Sequence, residues 1–191
     1  MTRPTTFDDI HQLLHASLGE AVRELFESYG LPIEEAAPGE LLLSSGESVA
    51  SSIGYSHSVV SGALTVIGSA ALVRALLVET GVEIATVTDI HDAGGEINNM
   101  LLGRVKNKCG RYGLLLKLGT PTTFYGTDLR MNQSARPSLT STWTAFNAAG
   151  DRFYVRLDML EAKGHTKQIM CFKEIEHSNG VAEGDTLFFE D

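Results

Sequence analysis

Asp92-Ala93-Gly94-Gly95-Glu96-Ile97-Asn98-Asn99-Met100-Leu101-Leu102-Gly103 places two adjacent glycines near the start of what its surroundings read as a long helix. A glycine inside a helix costs about 1 kcal/mol relative to alanine, so helix formation alone does not favour this spelling. At roughly 100° per residue, Asp92, Glu96, Asn99 and Gly103 fall on one narrow stripe. Ile90, Ala93, Ile97, Leu101 and the stem of Arg104 fall on another arc, which is the face expected to pack inward. A carboxylate and an amide, flanked by small residues, are therefore presented outward on a helix whose back is buried.

The flanking sequence gives the fold class. Thr5 or Thr6 can cap a first helix running to about Tyr29, with Phe7, Ile10, Leu14, Leu18, Val22, Leu25 and Phe26 at helical spacing and Gly30 and Pro32 ending it. Three short strands are expected at 41–43, 49–55 and 59–67, punctuated by glycines, and Ser69 opens a short helix to Thr80. The stripe helix spans 88 to about 109, with Asp89 as its N-cap. Basic Arg104, Lys106, Lys108 and Arg111 suit its negative end. A strand over 113–118 follows, then strands over 139–146 and 152–160 joined by a turn at 147–151. Each half reads as a long helix followed by strands. That suggests a pseudo-repeat, although no convincing residue-level identity links the halves. Short connections make the sheet mostly antiparallel, so the class is α+β.

The pattern D-A-x-G-E-x-x-N-M-x-x-G resembles the signature helix of the CheX-like branch of the CheC/CheX/FliY phosphatases. The run Gly119-Thr120-Pro121-Thr122-Thr123-Phe124-Tyr125-Gly126-Thr127-Asp128-Leu129 resembles the segment that follows that helix in the family, where T-P-x-x-x-x-G-x-D-L is usual. More loosely, the resemblance runs from the first helix to about residue 161. It implies a CheC-like fold of long helices on a mostly antiparallel sheet with a pseudo-twofold repeat. It also implies a domain over 1–162 and a C-terminal extension over 163–191, with a possible further strand at 168–173. The acidic tail that ends the extension reads as disordered, or as docking through Phe188 and Phe189.

The function the resemblance implies is hydrolysis of the aspartyl phosphate on a CheY-like receiver domain. Asn99 would orient the attacking water and Glu96 would pair with the receiver's lysine, their i, i+3 spacing making them neighbours on the helix surface. Asp92, Gly95, Asn98 and Gly103 are the expected partner-binding positions. Asp92 reads equally as compensation of the helix dipole, Gly95 and Gly103 equally as helix packing, and Asn98 as facing either solvent or the partner's rim. No cofactor of the chain's own is implied; Mg²⁺ is expected on the receiver. The single signature implies a homodimer with two equivalent sites, because Glu20-Ala21-Val22-Arg23 on the first helix does not repeat it. The alternative function is a CheX-like adaptor that binds a receiver or another signalling protein without turnover.

Composition closes off other classes. The 191 residues carry 15 Lys and Arg against 24 Asp and Glu, a net charge of −9, which disfavours nucleic acid and anionic membrane surfaces. No apolar run approaches the roughly 18 residues of a membrane span, no signal segment is evident, and a cytoplasmic location is expected. Cys109 and Cys171 are expected to be reduced. His11 and His15 stand four apart, a spacing that can hold a metal, but no third ligand is evident, and ordinary surface or core histidines are expected.

Overall fold

The computed structural model describes residues 4, 6–37, 46–81, 86–127, 129 and 139–162. Strands expected at 41–43 and 168–173, and the tail with Phe188 and Phe189, lie outside the described residues. In chain order the elements are α1 (Phe7–Ser28), β1 (Ile33–Ala36), β2 (Glu47–Ser56), β3 (Val60–Ser69), α2 (Ala70–Glu79), α3 (Val87–Gly110), β4 (Lys117–Leu118), β5 (Thr122–Thr127), β6 (Leu139–Ala148) and β7 (Asp151–Glu161).

Both long helices are specified at their ends by the same local chemistry. The Thr6 hydroxyl accepts from Asp9 N–H at 3.1 Å while the Asp9 carboxylate accepts from Thr6 N–H at 2.9 Å. Thr86 and Asp89 repeat this reciprocal capping box at 3.3 and 3.0 Å. Asp89 is thus the third residue of α3 and Thr86 its N-cap, which corrects the expected start. At the other ends, Gly30 N–H donates to Glu27 C=O and Leu31 N–H to Phe26 C=O. Gly113 N–H to Gly110 C=O and Leu114 N–H to Cys109 C=O match them. These are Schellman closures, and they need the positive φ that Gly30 (71°) and Gly113 (80°) supply. The second closure carries the chain as turn through Gly113, so the strand expected over 113–118 shrinks to Lys117–Leu118.

With the helices aligned at their caps, a residue-level repeat is visible after all. Thr6-Phe7-Asp8-Asp9-Ile10-His11 matches Thr86-Val87-Thr88-Asp89-Ile90-His91 as T-x-x-D-I-H. Tyr29-Gly30-Leu31 matches Tyr112-Gly113-Leu114. Two short identities more than twenty residues apart escape notice until the structure sets the caps in register.

Strand order is β1-β6-β7-β3-β2, with β5 and the short β4 sharing the outer edge of β2, and every pairing is antiparallel. The order is symmetric about the central β3–β7 pair. The hairpins β2–β3 and β6–β7 correspond, and β1 lies on β6 as β5 lies on β2. The 147–151 turn is a tight one, with Ala149 (φ 51°) and Gly150 (φ 81°) both left-handed. β1 and β5 were not expected as strands: Ile33-Glu34-Glu35-Ala36 has little apolar alternation, and Thr122–Thr127 is an edge strand of mostly small or polar residues.

The core lies between the sheet and the helices. Phe26 of α1 stacks on Phe153 of β7 with ring centroids 4.6 Å apart, and Phe146 of β6 stacks on Phe153 at 5.3 Å. Leu72, Val73 and Leu76 of α2 and Gly94 and Ile97 of α3 line one small cavity together with Val49, Val66 and Phe153. α3 packs tightly on the sheet at Gly94, where a Cβ would stand 2.6 Å from Val49 Cγ1. Val49 is β-branched and set in a strand, so it cannot swing aside cheaply.

Gly94→Ala should therefore lose stability by about 1–3 kcal/mol, overpacking outweighing the gain in helix propensity of about 1 kcal/mol. The double variant Gly94→Ala/Val49→Ala should be more stable than the sum of the single effects. Urea denaturation midpoints measure both, and a Gly94→Ala protein more stable than wild type would refute the packing argument.

Candidate functional site

α3 is held to the sheet by side chains on its inner arc. Asn98 is fully buried. Its amide nitrogen donates to Ser51 C=O at 2.9 Å on β2 and to Leu64 C=O at 3.2 Å on β3, with Ser51 Oγ at 3.3 Å. Asn98 follows Gly94 by four residues, about 40° round the helix, and so shares its packed side. The expectation that Asn98 meets a partner is corrected: it is an interior clamp between α3 and the central strands. Gly95 is also buried, and a Cβ there would stand 3.1 Å from Thr123 Oγ1 and 3.8 Å from Pro121 Cγ. Of its two readings, packing is the one the structure supports. The signal available in sequence was the i, i+4 pairing of a glycine with an amide beside Ile97 and Leu101.

The outward stripe is as the helical wheel places it. Asp92, Glu96 and Asn99 are exposed and Gly103 is half-buried, with nothing within 4 Å of a Cβ added there. Neither Glu96 nor Asn99 is tied up by a side-chain hydrogen bond or ion pair with a described residue. Both groups stand free on a helix that cannot roll, since its opposite side is fixed by Gly94 and Asn98.

The flanks of the stripe come from elsewhere in the chain. On the β5 side, His91 Nε2 lies 2.8 Å from Thr123 C=O. A carbonyl only accepts, so that nitrogen carries the proton and donates. On the α1 side stands Tyr29, the C-cap of α1, whose hydroxyl reaches Met100 Sδ at 3.7 Å. Burial raises the Tyr29 pKa, the nearby Glu96 carboxylate raises it further, and Arg104 acts oppositely. His91 and Tyr29 were not singled out in the sequence, and the repeated motifs that carry them were the missed signal. Arg104 and Lys108 turn toward α1, Lys108 reaching Glu20 at 3.0 Å and Glu24 at 2.6 Å and Arg104 reaching Glu24 at 3.8 Å. This part of the basic run joins the helices.

The remaining candidates are accounted for locally. Cys109 is buried beside Ser17, and burial pushes its thiol up to about 11, so it is protonated at neutral pH. His11 Nε2 lies 2.9 Å from Thr142 Oγ1 and His15 Nε2 3.4 Å from Thr144 Oγ1. Among the described residues no group of three metal-binding side chains forms, and no helix is long and apolar enough to cross a membrane.

The family profile described as chemotaxis phosphatase CheX matches residues 49–143, a span that contains the stripe. In structure the chain is similar to the chemotaxis protein CheX of Vibrio vulnificus, with a TM-score of 0.66 at 14% identity over 76% of this chain and 95% of that one. A CheC-like superfamily protein of Shewanella sp. PV-4 gives 0.66 at 16% identity over 77% and 97%. CheX in the CheX–CheY–BeF3–Mg²⁺ complex of Borrelia burgdorferi gives 0.55 at 16% identity over 78% and 97%. No curated protein matches the chain significantly in sequence. At these identities the structural likeness establishes the fold, and the profile's span includes residues 92–103. The chain is a CheX-like member of the CheC/CheX/FliY family.

The two adjacent asparagines should separate cleanly by role. Asn98→Ala removes the buried amide that ties α3 to β2 and β3 and leaves a void in its place, so it should cost about 1–3 kcal/mol of stability. Asn99→Ala, on the surface, should stay within about 0.5 kcal/mol. Equal denaturation midpoints for the two variants would contradict the clamp.

Proposed function

We propose that this protein hydrolyses the aspartyl phosphate of a CheY-like receiver domain, with Asn99 orienting the attacking water and Glu96 pairing with the receiver's lysine. The observation that carries this reading is the free Glu96–Asn99 pair on a helix whose back is locked. The CheX profile over residues 49–143 and the fold shared with CheX structures support it.

The chemistry asks little of the phosphatase. An acyl phosphate is already activated, and in this reading the receiver brings its own lysine and Mg²⁺. Phosphoryl transfer depends mainly on positioning and electrostatics, so a second protein contributes by holding water in line. The Asn99 amide offers one acceptor oxygen and two donor hydrogens, enough to orient a water without acting as a base. Water oxygen bonds to phosphorus, the bond from phosphorus to the aspartyl oxygen breaks, and both of the water's protons leave with inorganic phosphate as dihydrogen phosphate. The receiver's carboxylate is restored. Asp92 and Gly103 border the same stripe and are assigned to the docking surface. The signature occurs once per chain, so a homodimer with two equivalent sites belongs to this reading.

Asn99→Ala should lower turnover of a phosphorylated receiver on the order of 100-fold while leaving its affinity nearly unchanged, because the lost interaction acts in the transition state. Glu96→Ala should weaken docking as well as rate, and raised salt should weaken the wild-type complex. Single-turnover release of phosphate, with affinity measured separately on a beryllofluoride-loaded receiver, separates the two. Wild-type binding without hydrolysis would replace the phosphatase by an adaptor. Full activity in Asn99→Ala would end its assigned role.

A further inference from the structure

Beyond the assigned pair, the site has a neighbour that belongs to the other half of the molecule. Tyr29 closes α1, and the Schellman turn through Gly30 and Leu31 fixes where it stands. From there its hydroxyl touches Met100 Sδ on α3 at 3.7 Å. Met100 lies one turn after Glu96 and next to Asn99, so the phenol sits over the turn that bears the pair. Thioether sulfur is a weak acceptor, and the phenol makes no other side-chain hydrogen bond with a described residue. The Glu96 carboxylate is near enough to raise the Tyr29 pKa.

The internal repeat supplies a comparison. Tyr112 of the second Tyr-Gly-Leu turn stands against α1 as Tyr29 stands against α3, and it borders a small cleft with Ala16 and Glu20. Aligned on the capping boxes, Ala16 corresponds to Glu96 and Glu20 to Met100. The fold thus lays one tyrosine from each half across the other half's long helix. Only Tyr29 has a carboxylate at the Glu96 position.

We infer that Tyr29 is a positioning residue for Glu96: its hydroxyl exchanges the Met100 sulfur for the Glu96 carboxylate when a receiver docks, holding that carboxylate toward the receiver's lysine. This rests on the proposed reading of Glu96. The hydroxyl donates one hydrogen bond to a carboxylate oxygen, leaving the other oxygen for the ammonium group. A hydrogen bond from the phenol removes rotamers from an otherwise free glutamate as the lysine engages it. Tyr29 acts through Glu96 and does not touch the phosphate.

Two measurements test this, one without any receiver. In ¹³C-tyrosine NMR titrations, Tyr29 should deprotonate at lower pH in Glu96→Gln than in wild type, and Tyr112 should not shift. An unshifted Tyr29 overturns the inference whatever the protein's activity. With a beryllofluoride-loaded receiver, Tyr29→Phe should raise the dissociation constant about fivefold, the weight of one hydrogen bond, with kcat little changed. It should add nothing further in a Glu96→Gln background, and Tyr112→Phe should bind as wild type. Wild-type affinity for Tyr29→Phe, or the same loss with and without Glu96, overturns the positioning role. Absence of wild-type binding and hydrolysis with any phosphorylated receiver would instead overturn the proposed function, while the NMR titration still decides whether Tyr29 and Glu96 are coupled.

Discussion

The distance between α3 and β2 at Gly94 governs the rest of the molecule. Any side chain there would meet Val49 at 2.6 Å. Its absence lets the helix settle deep enough for Asn98 to reach carbonyls on two strands. That contact sets the rotation of α3 about its own axis, and the rotation determines where the outer stripe points. A helix packed one side chain farther out would leave Asn98 short of the sheet, with its buried amide nitrogen unpaired, a loss of about 1–3 kcal/mol. The glycine that is unfavourable for a helix in isolation is thus required by its tertiary setting.

This is why the signature mixes two kinds of residue. Gly94, Gly95 and Asn98 face inward and are structural; Asp92, Glu96, Asn99 and Gly103 face outward and are available. Both kinds fall within twelve residues because a helix turns fast enough to serve its core and its partner alternately. A surface residue can be exact in its aim only if the opposite side of its helix is fixed.

Much of this was legible beforehand. The long helices, the β2–β3 and β6–β7 hairpins, the α+β class and the outward stripe all follow from apolar period and punctuation. What was not legible depends on contacts remote in sequence. Asn98 looks like a surface residue until the depth of α3 in the sheet is known, because its partners lie 47 and 34 positions away. β1 and β5 are edge strands whose pairing is set by β6 and β2, and their own composition gives little away. Tyr29 stands some seventy residues from Met100, the residue of α3 that it touches. Its role could not be suspected until the repeat of Tyr-Gly-Leu showed that both halves make the same turn.

The exchange of outer strands between halves has a consequence for how such a molecule can be divided. β1 precedes the β2–β3 hairpin in the chain but pairs with β6, and β5 precedes β6–β7 but pairs with β2. A fragment holding one half would therefore keep its hairpin while its first strand had no neighbour of its own, and two open sheet edges would face solvent. Two such fragments could satisfy each other by trading strands, as the halves do within this chain. Unity of the domain is in this sense an internalised pairing, and it allows the two copies to differ: one helix keeps Glu96 and Asn99, and the other carries Ala16 and Gly19 at the matching places.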